Sequence, residues 1–139
     1  MTLIGCIADD LTGATDAAVT FSREGLSVIQ VNGVPDAALD IANADAIVVA
    51  LKSRTIAAAE AVAQSLAAAS WLRRRGAARI YFKVCSTFDS TPAGNIGPVA
   101  DSLLDATGAR LNVVTPAYPR NGRTVSQGHV FVGDALLSD

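Results

Sequence analysis

Charged and hydroxyl side chains cluster where the apolar, strand-like segments of this sequence end. The stretch YFKVCSTFDST, from Tyr81 to Thr91, starts as an apolar strand, carries Lys83 within it, and continues with hydroxyls and Asp89. A buried ammonium must pair with an anion or reach water, because a bare buried charge is very costly. Lys83 therefore either lies on an exposed edge strand or holds the carboxylate or phosphate of a ligand.

Two adjacent carboxylates follow the first apolar segment. Asp9 and Asp10 precede Thr12 and Gly13, with which a helix begins in the stretch ADDLTGATDAA. One aspartate can be the N-cap of that helix, where its carboxylate accepts hydrogen bonds from free backbone amides. The other can then bind ligand hydroxyls, bind a cation or act as a base.

Two arginines also lie beside small polar residues in predicted strand-end loops. Arg54 is in the stretch KSRT, and Arg123 is in the late stretch rich in proline and glycine. Their planar guanidinium groups could bind a carboxylate through two parallel hydrogen bonds, although either could equally be a surface residue. Serine, threonine and aspartate also form ordinary turns and caps, so Ser86, Thr87 and Asp89 have a structural alternative.

The elements that must position these residues alternate between short apolar segments and helical patterns, which is typical of βαβ units. We predict an α/β fold in three layers, a mostly parallel β-sheet with helices on both faces, Rossmann-like and doubly wound. In such folds, ligands bind at the carboxyl ends of the strands. The predicted strands are Leu3–Ala8, Ser27–Val31, Ala46–Leu51, Arg79–Val84 and Arg110–Thr115, with an extended segment at Gly128–Val132. The predicted helices are Ala14–Glu24, Ile56–Arg75 and Ile96–Thr107, with a weaker one at Asp36–Ala42.

Composition narrows the class of protein. The 139 residues are half apolar, which suits one folded domain, and a net charge of −2 leaves no basic surface, so nucleic acid is not an expected partner. No apolar stretch approaches the roughly 18 to 20 residues that cross a bilayer, so no membrane association is expected. Cys6 and Cys85 have no neighbouring ligands at metal-binding spacing, which predicts no metal site and a reducing compartment, the cytoplasm.

Nucleotide-binding motifs are missing from the sequence. It has no Gly-x-x-x-x-Gly-Lys-Ser/Thr loop, and no Gly-x-Gly-x-x-Gly follows the first predicted strand. We therefore expect no nucleotide site within this chain.

Four stretches together resemble the four-carbon acid sugar kinases, which include 3-oxo-tetronate, threonate and erythronate kinases. The stretches are IADDLTGATDAA, KSRT, YFKVCSTFDSTPAGNIGPVADSLL and PAYPRNGRTVSQGHVFVGDALLSD. The resemblance implies an N-terminal domain that binds the acid sugar, a C-terminal domain that binds ATP and Mg²⁺, and phosphoryl transfer between them. It also implies that residues 1–139 are a single domain, the front part of the N-terminal domain. The C-terminal domain would then be absent and the chain alone inactive.

The resemblance also assigns roles to the strand-end residues. Arginine and lysine would hold the substrate carboxylate, while aspartate, serine and threonine would bind its hydroxyls. The first choice for the base or a metal-linked role is Asp10, and the second is Asp89. The implied substrate-binding residues are Asp9, Asp10, Thr12, Gly13, Ser53, Arg54, Lys83, Ser86, Thr87, Asp89 and Arg123.

Two other functions stay open at this point. The chain could be a sugar-acid-binding module without catalysis. It could also be a phosphatase of the haloacid-dehalogenase kind, although Ala8 stands where that family has its nucleophile. The particular acid sugar, the hydroxyl that is phosphorylated and the natural end of the chain are not fixed by the sequence, and a homodimer is an open alternative.

Overall fold

The computed structural model describes residues 2–139, and its centre is a four-stranded parallel sheet in the order β2-β3-β1-β4. The strands are β1 (Ile4–Ala8), β2 (Val28–Asn32), β3 (Ala46–Ala50) and β4 (Arg79–Lys83). The helices are α1 (Leu11–Arg23), α2 (Ala58–Arg74) and α3 (Ile96–Thr107). A short 3₁₀ turn (Pro119–Asn121) leads to a separate antiparallel sheet of β5 (Arg123–Ser126), β6 (His129–Val132) and β7 (Ala135–Leu136).

Helices cover both faces of the parallel sheet. Along β1, Cys6 and Ala8 point to one face and pack against Ala14 and Ala17 of α1. Ile7 points to the other face and belongs to the larger core built by α2 and α3. This alternation follows from the two-residue period of a strand. The predicted three-layer α/β fold is therefore confirmed.

The small side chains of α2 let it lie close to the sheet. Ala61, Ala68 and Ala69 are buried on its inner face, and Trp71 and Leu72 fill the space near its end. Alanine also favours the helix intrinsically, because it loses no side-chain entropy there.

The connections place a crevice around the end of β1. The chain leaves β1 towards α1 on one face, but leaves β3 and β4 towards α2 and α3 on the other. Loops that diverge to opposite faces leave an opening at the carboxyl edge of the sheet, where ligands of open α/β folds bind.

Two predicted elements are wrong. Arg110–Thr115 is irregular and unpaired, because no strand lies beside it to share backbone hydrogen bonds. Asp36–Ala42 is irregular apart from a turn at residues 37–38, where the Asp36 carboxylate accepts a hydrogen bond from the Ala38 amide at 2.7 Å. Arg75 also binds the carbonyls of Leu39 and Ile41 from outside, so those carbonyls do not serve a helix.

The late extended segment is confirmed by β6, which pairs with both of its neighbours. None of the helices in residues 2–139 has the length and apolar character needed to span a membrane.

Candidate functional site

Asp9 and Arg54 form a bidentate ion pair at the carboxyl edge of the sheet. The Arg54 Nε donates to Asp9 Oδ2 at 3.1 Å, and its second terminal nitrogen donates to Asp9 Oδ1 at 2.8 Å. Asp9 is only 2% exposed. Hydrogen bonding to Asp9 raises the pKa of Arg54 above its ordinary value, despite the opposing effect of partial burial. The guanidinium of Arg54 is thus held against the buried carboxylate by two hydrogen bonds.

The backbone joins the ends of three strands around Asp9. Its carbonyl accepts from the amides of Ser53 and Arg54, at 2.9 and 3.2 Å, and its own amide donates to Lys83 O at 3.1 Å. The ends of β1, β3 and β4 are therefore held in fixed relative positions. This arrangement brings together Asp9, Ser53, Arg54 and Lys83, as the sequence predicts.

Asp10 is the N-cap of α1. Its Oδ1 accepts from the Gly13 amide at 2.7 Å and lies 3.0 Å from a terminal nitrogen of Arg54. Gly13 permits this close approach, since a Cβ at that position would lie 2.6 Å from the same oxygen. Within residues 2–139, Oδ2 of Asp10 has no hydrogen-bond partner and the side chain is 28% exposed. That oxygen can accept a proton or a hydrogen bond from a ligand.

Lys83 ends β4 next to the start of α1. Its ammonium donates to Val84 O at 2.8 Å and lies 3.4 Å from the point where a Gly13 Cβ would stand. Among residues 2–139, no carboxylate forms a salt bridge with it. The half-buried ammonium keeps N–H groups that can donate to an anion.

The loop after β4 adds further donors. Phe88 adopts a positive φ of 47°, and its amide donates to Cys85 O. Burial raises the pKa of the Cys85 thiol, but the hydroxyl of Thr87, the backbone amides of Thr87 and Asp89 and the charge of Arg54 outweigh it, so the net pKa is lowered. The loop therefore presents N–H groups and positive potential towards a partly exposed position. Cys85 itself lies after the end of β4 and is half-buried.

Asn95 is a supporting residue that sequence reasoning misses. Its side-chain amide donates to the carbonyls of Ser53, Arg54 and Ile56 at 2.6, 3.3 and 3.2 Å, and the residue is 3% exposed. It thereby fixes the loop that carries Arg54. Its partners lie about forty residues away in the sequence, and no local pattern could have revealed the contact.

Other predicted site residues lie outside this cluster. Thr12 is exposed in the first turn of α1, and Ser86 is half-buried and Asp89 exposed in the loop after β4. Arg123 begins β5 in the separate sheet, and none of the hydrogen bonds or ion pairs within residues 2–139 joins it to Asp9, Asp10 or Lys83. No group of three or more His, Cys, Asp and Glu residues within 2–139 is arranged to hold a metal ion.

Comparison with known proteins places this chain beside longer relatives. Residues 4–139 match the family described as the sugar-binding N-terminal domain. A curated 3-oxo-tetronate kinase from Burkholderia multivorans is 61% identical over 99% of this chain and 32% of its own length. The crystal structure of a Haemophilus influenzae protein has a TM-score of 0.93 and 54% identity, covering 97% of this chain and 32% of that one.

A more distant structure adds a ligand and an assembly. A domain of unknown function from Bordetella bronchiseptica, with bound citrate and as a domain-swapped dimer, has a TM-score of 0.82 and 39% identity. It covers 97% of this chain and 34% of its own. The chain therefore spans about a third of the length of the proteins it matches.

Proposed function

The chain belongs to the family of sugar-binding N-terminal domains, and we therefore propose that it is the substrate-binding part of an ATP-dependent kinase for a four-carbon acid sugar. The relatives named 3-oxo-tetronate kinase make 3-oxo-tetronate the first substrate to test, before threonate and erythronate. The resemblance in sequence and the chemistry of the strand ends support the same class of substrate.

The observation that carries this proposal is the set of N–H groups around Lys83. Its ammonium lies beside the start of α1, where free amides and the helix dipole favour anions. In the loop from Cys85 to Asp89, the Thr87 hydroxyl and then the backbone amides of Thr87 and Asp89 lower the pKa of the Cys85 thiol against the effect of burial. A potential that stabilises a thiolate also stabilises a carboxylate, so the acid group of the sugar would bind here.

The carboxylates would then have different roles. Asp9 uses both oxygens to hold Arg54, and we assign it to positioning that arginine rather than to contact with the sugar. Asp10 has a free oxygen, and we assign it to the substrate hydroxyl, as the base or the residue that orients the attacking oxygen. Ser86, Thr87 and Asp89 would bind the remaining hydroxyls, with Asp89 as the second candidate for the base.

The phosphoryl donor and its metal belong to the longer protein in this proposal. Kinases position and neutralise the transferred group, usually with Mg²⁺ between protein and nucleotide. ATP and Mg²⁺ would be held by the part of the protein outside residues 1–139, with this chain as the front part of the N-terminal domain. A cytoplasmic location and a homodimer stay predictions, and the domain-swapped dimer of the Bordetella relative supports the second.

The test uses the full-length protein that contains this chain. We expect ATP-dependent phosphorylation of 3-oxo-tetronate, and a KM for the acid raised about tenfold or more in Lys83→Met, because a charged hydrogen bond is worth about 1.5–3 kcal/mol. Arg79→Met, at the opposite end of β4, removes the same charge away from the site and should leave KM unchanged.

Two results would contradict the proposal. One is a full-length protein that transfers phosphate to none of the three acids. The other is an equal effect of Lys83→Met and Arg79→Met on KM, since the charge of Lys83 would then act only at long range.

A further inference from the structure

A slot lies along the outer edge of β4, and we call it the β4 slot. Its walls are β4, the irregular segment of residues 109–118, α1 on one face and α3 on the other, and it encloses about 1090 Å³. It lies beside the polar cluster of Asp9 and Arg54, neither of which lines it.

The backbone of β4 presents free hydrogen-bonding groups to this slot. Arg79 donates its amide to Leu3 O, and Lys83 accepts from the Asp9 amide, so these two residues face β1. Residues of a strand alternate between its two neighbours. The amides and carbonyls of Ile80 and Phe82 therefore face the slot, where no strand of residues 2–139 pairs with them.

The two edges of the sheet differ in chemistry. At the β2 edge, the side chains of Gln30 and Asn32 are hydrogen-bonded to each other at 3.0 Å, which gives a polar edge that discourages pairing. At the β4 edge, Ile80 and Phe82 are only half-buried. The ring of Tyr81 packs edge to face against the ring of Phe21, with their centroids 6.3 Å apart. An apolar edge with free amides is suited to accept another strand.

The opposite wall of the slot, in residues 109–118, is also apolar. Leu111 and Val113 are each 79% exposed and Val114 is 64% exposed, although all three lie in a segment with a strand-like sequence. Five strand residues rise about 3.3 Å each, stand about 4.8 Å from a neighbour and occupy a layer about 10 Å thick, or roughly 800 Å³. One strand therefore fits between β4 and this segment.

We propose that the β4 slot is filled by one β-strand from the part of the full-length protein that lies beyond residue 139. The relatives that share this backbone are about three times as long, so they contain chain to supply it. A second copy of this chain fits less well, because its own β4 edge is flanked by helices and cannot enter a slot that has walls on four sides. The strand would join β4 to Arg110–Thr115 and make both walls part of one sheet.

Hydrogen exchange of the full-length protein, read by NMR at single amides, tests this proposal. We expect the amides of Ile80 and Phe82 to exchange at least about a hundredfold more slowly than in the 139-residue chain, because they gain strand partners. Gln30, whose amide faces outward at the opposite edge, is the matched control and should exchange equally fast in both. A nuclear Overhauser contact should join the Ile80 or Phe82 amide to a residue beyond 139.

Three results would overturn the proposal. Fast exchange of Ile80 and Phe82 in the full-length protein would show that nothing pairs there. Direct contacts between these amides and residues 110–115 would show that the segment closes the slot itself. A third result would assign the slot to a second copy of the chain. In that case the protection of Ile80 and Phe82 in the 139-residue chain would rise with its concentration, and their contacts in the longer protein would all be intermolecular. None of these results depends on the substrate of the enzyme.

Discussion

The interaction between Asp9 and Arg54 determines which groups of the site remain available to a ligand. A carboxylate that is 2% exposed would be strongly destabilised without a cation, and the guanidinium meets it with two parallel hydrogen bonds. Arg54 is consequently occupied, and Lys83 is left as the cation that can meet a substrate carboxylate. In the proposed site the two basic residues would therefore have separate tasks, Arg54 within the protein and Lys83 towards the ligand.

Replacement of Arg54 by alanine should lower the free energy of unfolding by about 3 kcal/mol, because it leaves the Asp9 charge buried without its partner. Arg120→Ala is the matched control, since its salt bridge to Glu24 is 64% exposed on both sides and should contribute less than about 1 kcal/mol. Urea unfolding of both variants measures the difference. Equal destabilisation would show that the Asp9 pair gains nothing from burial.

Cys85 should be alkylated more readily than an ordinary thiol. Its lowered pKa means that the reactive thiolate forms at a lower pH, so the midpoint of the rise in alkylation rate with pH should lie below the usual thiol pKa of about 8.5. Cys6 is an internal control, because burial raises its pKa to about 12 against the opposing charge of Lys83. Mass spectrometry after iodoacetamide treatment across pH 6–9 separates the two sites.

A variant tests the cause of the lowered Cys85 pKa. Thr87→Val removes the hydroxyl that lies 2.9 Å from the Cys85 sulfur, and should move the midpoint of alkylation to higher pH. If Cys85 of the unsubstituted chain is alkylated with the same midpoint pH as a thiol in an unfolded peptide, the positive potential proposed for this loop is contradicted.

The members of the site were more predictable from sequence than their contacts. Four residues lie at or just beyond the ends of apolar segments: Asp9, Asp10, Arg54 and Lys83. The rule that ligands bind at the carboxyl ends of parallel strands is sufficient to predict that they lie close together. Both aspartates contact Arg54, and which of them forms the bidentate pair depends on side-chain directions that the spacing of residues along the chain does not determine. The three contacts of Asn95 depend on tertiary packing alone.

The start of α1 links a helix to the site. The Asp10 cap requires the chain to pass close to its carboxylate, and Gly13 makes this passage possible. Gly13→Ala should lower the free energy of unfolding by about 1–2 kcal/mol, because the new Cβ displaces the cap. Gly97→Ala in α3 meets no atom within 4 Å and should raise it by about 0.5 kcal/mol, since alanine favours a helix.

Chemical denaturation of the two glycine variants gives both values. The contradicting outcome is stabilisation of the chain by Gly13→Ala, which would mean that the cap tolerates a side chain at this position. An additional readout is the KM for the acid in the full-length protein, which should rise only in Gly13→Ala, because Lys83 lies beside that residue.

Four of the five predicted parallel strands were found, and the reason for the exception is informative. The strands are apolar runs, uninterrupted in β3, and helices α1, α2 and α3 end near glycines, so local pattern determines these elements. Arg110–Thr115 has the same apolar pattern, but a strand also needs a neighbour with free backbone groups. The pattern therefore identified a segment whose partner lies outside residues 2–139, if the β4 slot is filled as proposed.

Two features of the chain lie beside β4, namely the β4 slot and the candidate site, and both would be completed by a strand in the slot. The β4 slot runs along β4 to Lys83 and Cys85, so one end of it borders the candidate site. A strand that fills the slot would also build a wall of the site. If the slot is filled as proposed, the 139-residue chain and the full-length protein should differ in their affinity for the acid, and binding measurements on both would show this.

Val113 provides a direct measure of this difference. The side chain is 79% exposed in the 139-residue chain, so Val113→Thr should change its free energy of unfolding by less than about 0.5 kcal/mol. In the full-length protein a strand in the β4 slot would bury Val113, and the added hydroxyl should then cost about 1–2 kcal/mol. Val34→Thr makes the same change at a 42% exposed position that does not line the β4 slot, and it serves as the control with small effects in both proteins. Equal and small effects of Val113→Thr in both proteins would mean that this wall stays open to water.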